Sequence, residues 1–169
     1  MEARELILMS LQRSQRFLAK ALDELTQEEA AWRPEAECNS IVFILWHIAR
    51  VEDFLVNRVV QHEKELYEAE GWQEKLGTPA KETGYQYTAE QLQAWPLPKL
   101  EVIRGYADAV WQKTLAFLKS IPPKRLSEVP RPDRSTEPVG ATLGHMATEI
   151  ALHVGQIAYL RGIQCGLEK

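Results

Sequence analysis

Apolar residues in this chain return at steps of three, four and seven, and no segment alternates with a period of two between hairpin turns, so an all-α fold is expected. From Glu2 to Leu25 the stripe is Ile7, Leu11, Leu18, Leu22 and Leu25, one face of a first amphipathic helix. Thr26-Gln-Glu-Glu29 has the order of a capping box, and Pro34 limits the short turn it starts. A second helix is expected from Ile41 to about Leu66, capped by Asn39 or Ser40, with Phe43, Ile44, His47, Val51, Phe54 and Arg58 on one stripe. A third runs from Leu100 to Ile121 through Ile103, Tyr106, Val110, Thr114 and Phe117, and Pro122-Pro123 stops it. A fourth covers about Pro138 to Gly162.

Two long connections separate these helices. Residues 71–98 are interrupted by Gly and Pro and carry one short helical signal, the box Thr88–Gln91; residues 122–138 hold five prolines with Arg131, Asp133 and Arg134, the composition of an extended surface loop. At 169 residues, without internal repeats, the expected fold is a four-helix bundle forming a single domain over 1–169.

Composition narrows the partners. With 20 Lys and Arg against 24 Asp and Glu there is no basic block able to track a phosphate backbone, so nucleic acid is not an expected partner. The longest apolar run, Ile41 to Trp46, is far short of the roughly 20 residues of a membrane span. The first residues lack the order of a signal peptide, and a cytoplasmic location is expected. Cys38 and Cys165 are too far apart and too few for a zinc knuckle or a disulfide framework.

The chemistry concentrates in the fourth helix. His145, Glu149 and His153 are spaced four apart and form a ladder along one face. Imidazole nitrogen and carboxylate oxygen both bind zinc-like ions at about 2.0–2.2 Å, so neighbouring rungs can grip one ion, whereas rungs eight apart are about 12 Å from each other. The pair is therefore Glu149 with His153 or His145 with Glu149, and Glu149 is central in both. His47, on the second helix, is the remaining histidine on an expected buried stripe. Three protein ligands leave a position open, the arrangement of catalytic zinc. His62, near a helix end, is expected to have no chemical role. The bland alternative is a solvated His/Glu ladder with a core histidine; the cost of burying the Glu149 charge without a cation weighs against it. Trp46 and Trp111 read as core residues, Gly155 as a place where a neighbouring helix approaches, and Gln156 as a hydrogen-bonding group across the bundle.

Trp32-Arg33-Pro34, Asn39-Ser40, Leu45-Trp46-His47-Ile48-Ala49 with Glu52-Asp53, and His153-Val-Gly155-Gln156 before Arg161-Gly162 together resemble the DinB/YfiT-like superfamily of metal-dependent hydrolases. The resemblance spans nearly the whole chain. It implies a four-helix bundle with a divalent ion, nickel or zinc, on three histidines: one on the second helix and an HxxxH pair on the fourth. His47 matches the first and His153 the last, while Glu149 stands where the pair's first histidine is expected. The implied metal set is His47, Glu149 and His153, with Glu149 either ligand or catalytic base, and His145 and Gln156 supporting them without coordinating. Relatives imply a thiol S-transferase using a bacillithiol- or mycothiol-type cosubstrate, or a hydrolase, acting on a small molecule, and a homodimer. The alternative is a non-catalytic stress-response or binding module with a degenerate metal site.

Overall fold

A computed structural model describes residues 3–79, 81–130 and 136–166. Eight α-helices lie in it: α1 (Ala3–Ala21), α2 (Gln27–Ala31), α3 (Ile41–Asp53), α4 (Leu66–Ala69), α5 (Trp72–Leu76), α6 (Ala89–Ala94), α7 (Leu100–Ser120) and α8 (Val139–Cys165). A π-helix, Phe54–Val60, continues α3, and a 3₁₀ turn, Pro123–Ser127, follows α7. No strand occurs among the described residues. Glu2, Arg131, Asp133 and Arg134 lie outside them.

The four long helices close a ring in which α1 packs on α8 and α7, and α3 packs on α7 and α8. On α1, which ends at Ala21 before the expected Leu25, and on α7 the expected stripe faces this core: Leu11 and Leu18, and Ile103, Tyr106, Val110, Thr114 and Phe117, are all buried. Thr26 and Glu29 form the expected capping box, with the Thr26 N–H donating to Glu29 Oε2 at 2.9 Å. The other oxygen of Glu29 lies 3.2 Å from Arg161 Nη1, and the Glu29 carbonyl accepts from Gln164 Nε2 at 2.7 Å. The first connection is thus fastened to the end of α8.

The second long helix departs from expectation in two ways. Every residue of α3 except Val51 is buried, because α7, α8 and the following connection enclose it, so it has no single apolar stripe; Ser40 caps it, accepting from the Phe43 N–H at 3.3 Å. It also ends at Val60, not near Leu66. The cause is Asp53, wholly buried, whose two oxygens accept from the N–H groups of Leu66 and Tyr67 at 2.9 Å each. A carboxylate taking the first free amides of α4 turns the chain back onto α3. Around it Arg50, 1 % exposed, pairs with Glu65 at 2.7 Å and sits 3.9 Å over the Tyr67 ring. The connection to α7 therefore contains α4 and α5 as well as the expected α6.

After α6 the chain enters α7, but before it residues 82–84 cross α3. Arg50 Nε donates to the Glu82 carbonyl at 3.2 Å, and Gly84 presses on Phe43 and Trp46. This strap is the part of the connection that reaches the site described next.

Candidate metal centre

His47 lies on α3, and Glu149 and His153 lie one turn apart on α8, the helix packed beside it. One ligand atom from each of the three falls within 4.8 Å of the others, the group among the described residues with this geometry. His153 Nε2 is 3.6 Å from Glu149 Oε2. The two imidazoles meet nearly edge to face, with centroids 4.7 Å apart and planes at 84°. Donors on a tetrahedral zinc-like ion stand about 3.3 Å from one another, so small side-chain adjustments bring these three onto one ion.

Both histidines are held by the nitrogen that faces away from this meeting point. Nδ1 of His47 donates to the Thr83 carbonyl at 2.5 Å, and Nδ1 of His153 donates to Gln156 Oε1 at 2.9 Å. A neutral imidazole with a proton on Nδ1 carries its lone pair on Nε2, the form a metal takes. Burial holds the His47 pKa below the ordinary imidazole value; the Thr83 carbonyl opposes this, the neighbouring His153 adds to it, and Glu149 opposes it. His47 is therefore uncharged at neutral pH. It is buried, whereas Glu149 and His153 are half-buried, so the centre opens to solvent along α8. The donor set fits a divalent ion of the zinc type: two anchored imidazoles and a carboxylate from two rigid elements.

Of the two pairs the ladder left open, Glu149 with His153 is the one that meets His47. His145 is exposed and stands outside the group. Gln156 does not reach across the bundle; it bonds back to His153 on its own helix, because three residues bring both onto one face. Gly155 admits no neighbouring helix: a Cβ built there meets nothing within 4 Å. His62 is exposed beyond the π-helix, and Trp46 is wholly buried, as expected.

Sequence reasoning missed Thr83, whose contribution is a backbone carbonyl and so leaves no side-chain signature. It also left the buried charges beside the site without a role. The available signal was the presence of Arg50, Glu52 and Asp53 within the otherwise apolar run of α3.

Over residues 10–157 the sequence matches the DinB superfamily, a span that includes all three converging side chains. The chain belongs to the DinB superfamily. A crystal structure of a conserved protein from Enterococcus faecalis is similar to this DinB-superfamily chain at a TM-score of 0.85 and 23% identity, covering 99% of each chain. That likeness is one of fold. No curated protein matches the sequence. The all-helical architecture is consistent with this family. Among the described residues no helix is long and apolar enough to cross a membrane.

Proposed function

We propose that this DinB-superfamily protein is a metal-dependent enzyme in which His47, Glu149 and His153 hold a divalent ion, nickel or zinc. The observation that carries the reading is the convergence of these three donors with both Nδ1 atoms already engaged. A bound ion would supply Lewis acidity, making a thiol or water nucleophilic near neutral pH. His47 anchors the buried side of the centre, and Gln156 keeps the His153 ring turned toward it. Glu149, on the open side, offers one carboxylate oxygen as a donor and the other as a proton acceptor for the incoming nucleophile. The reaction class is transfer of a low-molecular-weight thiol of the bacillithiol or mycothiol type to a small electrophile, or hydrolysis.

Metal analysis of protein purified without a histidine tag tests this. Stoichiometric nickel or zinc, lost in His47→Ala and His153→Ala and kept in His62→Ala, is the expected result. Glu149 and His153 also attract one another without an ion, at 3.6 Å, and this approach favours the non-catalytic module as the competing reading. A metal-free protein whose stability is unchanged by chelator and by added zinc would establish that module instead. Turnover screens with and without a bacillithiol-type cosubstrate then separate transfer from hydrolysis.

A homodimer is part of this proposal, through the outer face of α1 and α8. Phe17, Leu152 and Tyr159 are exposed on these helices, and a groove of about 850 Å³ is lined by Phe17, Gly155 and Gly162. Arg13 lies towards one end of the groove, and Asp23 and Glu24 lie at the other. A two-fold axis through its centre sets each Arg13 against the other copy's acids, which makes the face self-complementary. Sedimentation of the wild type and of Gly155→Arg tests it: a dimer that the variant dissociates is expected, and a monomer at all concentrations removes the interface.

A further inference from the structure

We infer that residues 82–84, crossing α3, are the positioning element of the metal centre: they set the ring of His47 so that Nε2 is its free nitrogen. The inference rests on the reading of His47, Glu149 and His153 as metal ligands and extends it to residues that touch no metal.

A carbonyl oxygen only accepts, so the 2.5 Å contact with Thr83 requires the proton of His47 to sit on Nδ1. A backbone carbonyl is placed only by placing the backbone, and two contacts flank this one. On the N-terminal side Arg50 donates to the Glu82 carbonyl at 3.2 Å. Arg50 is itself locked by Glu65 at 2.7 Å and by the Tyr106 hydroxyl at 3.3 Å. On the C-terminal side Gly84 has φ +83°, and a Cβ there would stand 2.8 Å from both Phe43 Cζ and Trp46 Cζ3. Those rings are buried in the core, 3 % and 0 % exposed, and have no room to yield. Only glycine permits both the left-handed backbone and this approach.

The buried charges of α3 therefore act on the site through one chain of contacts: Glu65 on Arg50, Arg50 on Glu82, the backbone from Glu82 to Thr83, and Thr83 on His47. Hydrogen-bond partners of this kind tune metal affinity by about 10–100-fold. Coupling is reciprocal, so an ion that selects the Nε2 lone pair also steadies the strap.

Two measurements test this. Nitrogen-15 NMR of metal-free wild-type protein should show His47 as the Nδ1–H tautomer. Calorimetric titration with zinc alone should show affinity at least ten-fold weaker in Gly84→Ala and near wild type in Gly77→Ala. Gly77 is the matched control: its φ is +62°, but a Cβ there meets nothing within 4 Å. A His47 that is the Nε2–H tautomer, or a Gly84→Ala protein that binds zinc like wild type, overturns the positioning role and leaves the metal reading standing. Wild-type protein that binds no zinc overturns both. Should Gly84→Ala fail to fold, the wild-type tautomer decides.

Discussion

Tyr106 of α7 donates its hydroxyl to Asp53 of α3 at 2.8 Å, inside a core where neither residue is exposed. Asp53 also accepts from Asn57 and from the two amides that begin α4, so four donors share one carboxylate. Removing one of four should be mild, and removing the acceptor severe. Tyr106→Phe is expected to lower stability by about 1.5–3 kcal/mol, the range for a hydrogen bond to a charged group. Asp53→Ala, which leaves all four donors without their acceptor, should lose roughly 3–5 kcal/mol. Urea denaturation measures both, and equal effects of the two substitutions would contradict the shared-acceptor arrangement.

Glu52 is completely buried on α3, and burial pushes its carboxyl from 4.5 to about 7; Thr114 opposes the shift and Asp53 adds to it. The unfolded chain releases this proton first as pH rises. The group's contribution is full below pH 4.5, falls between 4.5 and about 7, and stays lost above. The loss is on the order of 3 kcal/mol. Glu52→Gln should flatten this slope and be the more stable protein at pH 8. Parallel stability curves for variant and wild type across pH 4.5–8 would show that Glu52 is not responsible.

Zinc or nickel should raise the midpoint of thermal unfolding, because an ion bound only by the folded chain at 100 times its Kd adds about 2.7 kcal/mol. Chelator should reverse the shift. Glu149→Ala should weaken it, Glu149→His should retain it, and His145→Ala should leave it unchanged, since His145 is exposed and stands outside the group of three donors. A shift that persists in Glu149→Ala and disappears in His145→Ala would reassign the third ligand.

Two glycines of α8 should respond oppositely to alanine. At Gly155 the added Cβ meets open space, so helix propensity alone acts and Gly155→Ala should gain up to about 1 kcal/mol. At Gly140 it would come within 3.1 Å of the Leu126 carbonyl oxygen, and that crowding should cancel the gain or reverse it. Thermal denaturation of the two variants side by side distinguishes them.

The helices whose one face meets the core were legible: Leu11 and Leu18, or Ile103 through Phe117, announce α1 and α7 by spacing alone. Helix α3 was harder, because a helix enclosed on nearly all sides has no stripe to read, and its end is set by Asp53 catching amides that lie 13 and 14 residues later. At the site, His47 and the ladder of His145, Glu149 and His153 were legible as candidate ligands, because coordination needs particular side chains at particular spacings. The choice between His145 and His153 was not, since the ladder is symmetric about Glu149 and only the position of α3 breaks the tie. Thr83 was invisible for a different reason: every residue type carries the same backbone carbonyl, and what places this one is the glycine after it.

Glu29 joins its own turn to Arg161, while its carbonyl takes Gln164, 135 positions further along the chain. The opening and closing stretches of the polypeptide are thereby riveted at one residue. Trimming the chain back past Arg161 would remove a brace from α2 as well as a turn from α8, and damage at the tail would be felt first at the opposite end of the sequence.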